Sequence, residues 1–208
     1  ICACLVGSEM CIRDSYWKPT FTWVIDELRV MNPIERQSKG IRPIMYNNGK
    51  NDLSIYTYLS DVCYQVRAHF EWNEHRPDLE KDRNENKHYA IAKRMLERGG
   101  RRDIFLGTRE CQGYIEPCIF GLGKGHYDDV SSLDLGLMEH GITYADENGK
   151  GVMQERFWHP VMQNGKICFC RPEECEIVRD IHPQKMKTFT LGETVSDCDD
   201  LYREVIQK

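Results

Sequence analysis

VCYQVRAHFEW (residues 62–72) alternates strictly: Val62, Tyr64, Val66, Ala68, Phe70 and Trp72 take every second place, with Gln65, Arg67, His69 and Glu71 between them. Successive side chains of a strand leave on opposite faces, so apolar residues at period two describe a strand with one face on a core and the other in water. Upstream, Phe21, Trp23 and Ile25 alternate with Thr22, Val24 and Asp26. Leu28 and Val30 resume the apolar parity once Glu27 is absorbed, and Asn32–Pro33 ends this second strand. Between the two, Lys39 to Asp52 is rich in Gly and Asn and reads as loop, with one short strand at Ile41–Tyr46.

Downstream the period changes to that of a helix. Asn84 or Asn86 can cap it, Ile91, Ala92, Met95 and Leu96 form its apolar face, and Gly99–Gly100 end it. Short strands are then expected at Asp103–Leu106, Gly113–Phe120 and Leu133–Met138. A hairpin is expected at VMQNGKICF (161–169), where Asn164–Gly165 is a two-residue turn. The polar tail from Thr190 holds one short helix at Asp199–Ile206. This is an α+β chain rich in antiparallel strands.

The opening stretch, LVGSEMCIRD (5–14), has neither period and resembles, residue for residue, the translation of a transposase adapter end used in sequencing libraries. Ile1–Asp14 is therefore set aside as non-native. The expected organisation is a domain at 15–125 lacking its leading strand and helix, a β-rich extension at 126–190 and a tail at 191–208.

The 208 residues carry a net charge of −5 at neutral pH, which argues against a histone-like binder. Of ten cysteines, three lie within Ile1–Asp14. The remaining seven form no CxxC pair, so neither a disulfide framework nor a zinc site is expected, and a reducing compartment is. Cys168, Cys170 and Cys175 lie closest together, but their spacing fits no zinc knuckle or ribbon. No apolar run approaches the roughly 18 residues of a membrane span, so no membrane partner is expected.

Against the acidic total, residues 81–102 hold eight basic and three acidic side chains. A polyanion is the natural partner of such a cluster. Lys87 and His88 fall in the first turn of the expected helix, the positive end of its dipole, where cations are disfavoured and phosphate is favoured. A Lys beside a His at such a place suits RNA cleavage without a metal: the ribose 2′-OH attacks the adjacent phosphorus, His moves a proton, Lys offsets developing charge, and a Tyr hydroxyl holds or deprotonates the 2′-OH. Arg83, Lys93, Arg98, Arg101 and Arg102, with Lys124 from the glycine loop, are the candidate RNA contacts. No metal or cofactor is expected.

Three motifs imitate other chemistry. Pro77–Asp78 with Glu85 and Lys87 mimics a metal-dependent nuclease, but that pattern needs Glu and Lys on a strand beside the Asp. Gly121, Gly123, Lys124 and Gly125 mimic a phosphate loop, yet no Ser or Thr follows the Lys. Trp158 and His159 read as core and edge of a strand rather than as base-stacking residues.

YWKP (16–19), KGIRP (39–43), YQVRAHFEWNEHRPDLEKDRNENKH (64–88), RGGRRDIFLGTRECQGYIEPC (98–118) and FCRPEEC (169–175) resemble the Cas-five family of CRISPR-associated proteins, in its type I-C (Dvulg subtype) branch. The resemblance runs from about Tyr16 to about Pro183. It implies a ferredoxin-like, RNA-recognition-type (RAMP) domain with a C-terminal antiparallel β extension. It further implies a metal-independent endoribonuclease that cuts CRISPR precursor RNA at the repeat hairpin and keeps the 5′ handle in a surveillance complex of the prokaryotic cytoplasm. Carried over by motif, the catalytic residues are Tyr16, Lys87 and His88. The implied partners are the repeat RNA and the other type I-C subunits, with DNA left open. A non-catalytic handle-binding scaffold is the second functional class and a metal-dependent DNase the third.

Overall fold

A computed structural model describes residues 11–43 and 53–185. Its centre is the pair of strands with the clearest alternation. β1 (Phe21–Val30) runs antiparallel to β4 (Tyr64–Trp72), from Phe21 opposite Trp72 to Val30 opposite Tyr64. Register shifts between Ile25 and Glu27, so Asp26 is the extra residue of a β-bulge. The bulge returns Leu28 and Val30 to the face of Phe21, Trp23 and Ile25, which accounts for the parity break in the sequence.

The other edge of β1 is taken by β11 (Lys166–Cys168), with Leu28 opposite Ile167. β11 continues through Asn164 and Gly165, both at positive φ, to β10 (Val161–Gln163), and β7 (Leu133–Asp134) closes the sheet in the order β4-β1-β11-β10-β7. The hairpin therefore joins the same sheet as β1, and the boundary drawn between 125 and 126 runs through that sheet. A second sheet, β12-β9-β8, is built from β8 (Met138–Thr143), β9 (Val152–Trp158) and β12 (Ile177–Pro183).

Helices are few. α1 (residues 11–15) leads into Tyr16, α2 (Glu85–Glu97) covers the Phe21 end of the central sheet, and α3 (Ala145–Asn148) is a single turn. Tyr16, Phe21 and Ala92 form one buried cluster against Phe70, Trp72, Ile91 and Met95. Leu28, Val30, Met138, Trp158, Met162 and Ile167 form the other, which holds the two sheets together. Among the described residues no helix is long and apolar enough to cross a membrane.

Several expectations are corrected. Lys39–Ile41, read as the start of a loop, instead ends a strand: β2 (Glu35–Ile41) forms a hairpin with β3 (Ser54–Ser60), paired from Glu35–Ser60 to Ile41–Ser54, and neither strand was expected. Most of its side chains are exposed on both faces, and a strand with no buried face has no alternation to read. The strand expected at Gly113–Phe120 shrinks to β6 (Gln112–Gly113), paired with β5 (Ile104–Phe105); beyond it Pro117 has no N–H to give a ladder. Leu133–Met138 breaks into β7 and the start of β8 at Gly136, whose φ of +72 is left-handed. The parts of Ile41–Tyr46 beyond residue 43 and the helix at Asp199–Ile206 lie outside the described residues.

Residues 11–14, set aside above, are packed whatever their origin. Cys11 is buried with its Sγ toward the Phe105 carbonyl, and Arg13 pairs with Glu147 at 2.9 Å. Tyr16 follows with its N–H donated to Ile12 O, so it does not stand at a frayed end.

Leu28 is 0% exposed and Ile55 is 73% exposed. Leu28→Ala should cost about 2–5 kcal/mol in urea unfolding, through lost transfer energy and a residual cavity. Ile55→Ala should change stability by less than about 0.5 kcal/mol. Comparable losses would mean that the β2–β3 hairpin is packed in a core.

Candidate functional site

The start of α2 is fixed by Asn84, whose side chain accepts the Lys87 N–H at 3.1 Å. This cap sets the first turn so that His88 points inward and Lys87 outward. His88 is 0% exposed and sits among aromatic rings, with centroids 5.1 Å from Phe21 and 5.7 Å from Trp72. A buried imidazole needs a partner for each nitrogen, and both are present. Nε2 lies 2.8 Å from the backbone carbonyl of Asp82. A carbonyl can only accept, so Nε2 carries the proton of the neutral ring. Nδ1 is then the bare acceptor, and it lies 2.8 Å from the Tyr16 hydroxyl, which donates to it.

Tyr16 is 4% exposed. Its backbone is pinned by Trp23, whose indole N–H donates to Tyr16 O at 2.7 Å. Burial pushes the phenol above its ordinary range, the Asp82 charge pushes it further, and Arg101 acts in the opposite sense. The phenol is therefore neutral at physiological pH.

Asp82 ties the cluster together and was not singled out in the sequence. Its carboxylate pairs with the Lys87 ammonium, accepts from Thr20 Oγ1 at 2.7 Å and lies 3.4 Å from His88 Nε2. Burial raises this carboxyl, but Lys87 and Thr20 outweigh it and hold it below the usual carboxylate range. Asp82 also supplies what a phosphate was invoked to supply: the cation in the first turn of α2 has its counter-charge within the chain.

The candidate RNA contacts are spread unequally. Arg101 is exposed, its N–H donates to Ser15 O at 3.2 Å, and its charge reaches Tyr16. Arg98 caps the C-terminus of α2, and Lys93 and Arg102 are exposed nearby in sequence. Arg83 is turned inward, with Nη2 donating to Asn73 O at 2.9 Å and Nε buried without a partner. Lys124 is exposed at the far end of β1, in the loop that Arg29 grips through Leu122 O and Gly123 O. Eight residues of strand at ~3.3 Å each separate Arg29 from Phe21 and the Tyr16–His88 pair.

The imitative motifs resolve by geometry. Both Asp78 oxygens are taken by Arg76, at 2.9 and 2.7 Å, so this carboxylate has an internal cation in place of a metal. In the glycine loop the Gly121 and Gly125 N–H groups donate to Gln65 and Asp128, leaving them unavailable to cradle a phosphate. Trp158 is buried and His159 is exposed against Glu176 at 2.7 Å. The cysteines regroup: Cys168 points toward Glu27, while Cys170 and Cys175 meet each other and His140, a residue with no sequence signal linking it to them.

A family model described as CRISPR-associated protein (Cas_Cas5), of the Cas5d type, matches residues 1–170, a span that includes the segment set aside above. Among solved structures, a functionally uncharacterized protein, SMU1763c from Streptococcus mutans, is 41% identical, with 83% of this chain and 82% of that chain covered and a TM-score of 0.69. A second, described as a CRISPR-associated protein, is 38% identical over 83% of this chain and 82% of that chain, with a TM-score of 0.71. No curated protein matches the chain. With most of its length matched by the family model and both solved relatives sharing its antiparallel α+β fold, the chain belongs to the Cas5 family of CRISPR-associated proteins.

Proposed function

We propose that this chain is a metal-independent endoribonuclease of type I-C that cuts CRISPR precursor RNA at the repeat hairpin and stays on the 5′ handle in the surveillance complex. The observation that carries this reading is the 2.8 Å hydrogen bond between the Tyr16 hydroxyl and His88 Nδ1, one residue from Lys87. A neutral phenol that donates to a bare imidazole nitrogen can accept a proton as it gives one away. The ribose 2′-hydroxyl loses its proton to Tyr16 Oη while the Tyr16 proton passes to His88 Nδ1. The 2′-oxygen bonds to the adjacent phosphorus and the bond to the 5′-oxygen breaks. That oxygen takes a proton from solvent, leaving a 2′,3′-cyclic phosphate and a 5′-hydroxyl. Lys87, half exposed on its stem, offsets the charge on the phosphoryl oxygens. Arg98, Arg101 and Arg102 hold the RNA backbone beside it.

One observation favours the scaffold reading. Tyr16 and His88 are almost wholly covered, so in this conformation no ribose reaches the phenol. The two readings part on the rate at which bound RNA is cut.

Tyr16→Phe keeps the ring and removes the relay, and His88→Gln keeps a polar side chain. Each should slow single-turnover cleavage of a repeat hairpin by roughly 10²–10⁴-fold and change RNA affinity far less. Unchanged cleavage of bound RNA by Tyr16→Phe would end the relay, and wild-type protein that binds without cutting would favour the scaffold.

Cleavage should persist in excess EDTA and vanish, with binding retained, on a 2′-deoxy substitution at the nucleotide before the cut. A magnesium requirement together with loss of activity in Asp78→Ala would return the metal-nuclease reading.

Asp82→Asn removes a charge that raises the Tyr16 phenol while keeping the side chain's shape. The alkaline limb of the pH–rate profile should therefore move to lower pH, because the phenol then ionises more readily. A limb that stays in place would show that Tyr16 does not set it.

A further inference from the structure

Cys170 leaves the end of β11, Cys175 stands just before β12, and the turn between them (Pro172–Glu174) folds the two sulfurs to 3.9 Å. His140 reaches them from the middle of β8, and a ring nitrogen and both sulfurs lie within 4.8 Å of one another. A disulfide needs sulfurs about 2.05 Å apart, so this spacing is nearly twice too long for one. Two thiolates on one tetrahedral zinc, at Zn–S distances of about 2.3 Å, stand about 3.8 Å apart. The 3.9 Å separation matches a thiol–thiol hydrogen bond in the metal-free chain, and it is also the spacing that one shared zinc requires.

We propose that His140, Cys170 and Cys175 form a binding site for a thiophilic divalent cation of the zinc class, separate from the Tyr16–His88 pair. The imidazole is prepared as a ligand: Nε2–H donates to Cys170 O at 2.9 Å, so Nδ1 holds the free lone pair. A ligating histidine whose other nitrogen donates to a backbone carbonyl is the usual outer-shell arrangement at zinc. Arg156 donates to that Nδ1 at 3.4 Å and its charge also reaches both thiols, so metal uptake requires this guanidinium to move aside.

The cluster borders a cavity of about 270 Å³ that is also lined by Glu71, Glu74 and Glu173 and by His75, Arg156 and Arg171. Glu71 is matched by Arg171 at 2.6 Å. Among the described residues neither Glu74 nor Glu173 is in a salt bridge, and carboxylates and guanidinium groups share this lining. The cavity gives room for a water as fourth ligand, as in three-ligand zinc sites. Mechanically the metal would be a clip. Its ligands come from the exit of β11 in the first sheet and from β8 and the entry to β12 in the second, so it would bridge the two sheets.

The test uses the full chain, reduced, stripped by chelator and titrated with Co(II), a spectroscopic stand-in for zinc. The expected result is one equivalent bound, with thiolate-to-cobalt charge-transfer absorption and the intense d–d bands of a four-coordinate ion. Cys170→Ser, Cys175→Ser and His140→Ala should lose these bands and Cys168→Ser should keep them. Zinc at a hundredfold excess over its dissociation constant should raise the melting midpoint by about 5–10 °C, reversed by chelator. Should a variant fail to fold, alkylation of the wild-type chain replaces it: zinc should protect Cys170 and Cys175 from iodoacetamide and leave the exposed Cys63 and Cys118 reactive. Absence of thiolate–cobalt bands, their retention in Cys175→Ser, or equal alkylation with and without zinc would each overturn the site.

Discussion

A histidine with no exposed surface can be kept in an apolar box only if both of its nitrogens are satisfied. For His88 those partners are a backbone carbonyl six residues earlier and a phenol seventy-two residues away in sequence. This requirement organises the whole end of the molecule. It fixes where the 3₁₀ turn Pro77–Asp82 must end relative to α2, because Asp82 O has to face Nε2. It brings the residues before β1 back over the sheet, because Tyr16 has to face Nδ1. Phe21, Phe70 and Trp72 complete the box from the two central strands, so the best-defined β pairing in the chain supports its most demanding polar contact.

Much of this was legible in the sequence where burial is one-sided. β1, β4, α2 and the Asn164–Gly165 hairpin all have a core face and an outer face, and the period of each element records it. The β2–β3 hairpin was not legible because its side chains are exposed on both faces, which leaves register to backbone hydrogen bonds alone. Asp26 and Glu27 illustrate a finer limit. The parity break was visible, but which residue was extra depends on the partner strand, and pairing shows it to be Asp26.

The candidate site divides in the same way. Tyr16, Lys87 and His88 were nominated by resemblance and by residue chemistry, yet Asp82 and Thr20, which join them, carried no signal. An acidic residue inside a basic cluster reads as dilution of charge, and only the turn at Pro77–Asp82 makes it a counter-ion. The His140, Cys170 and Cys175 grouping fails in sequence for a different reason. Metal spacing rules describe ligands on one or two local loops, and here the third ligand lies thirty residues upstream on another strand.

The Asp82–Lys87 pair changes what substrate binding must do under the proposed reaction. In a chain whose Lys87 had no counter-ion, a phosphate would simply fill an electrostatic vacancy at the start of α2. Here an incoming phosphate competes with a carboxylate already in place, and the exchange leaves Asp82 to Thr20 and His88. That carboxylate keeps its Oδ2 3.4 Å from His88 Nε2 and its bond from Thr20 Oγ1 at 2.7 Å. The backbone on either side of Tyr16 cannot follow, since Trp23 holds its carbonyl and Arg101 N–H holds that of Ser15. Of the groups in the cluster, Lys87 on its long flexible stem is the one freest to exchange partners.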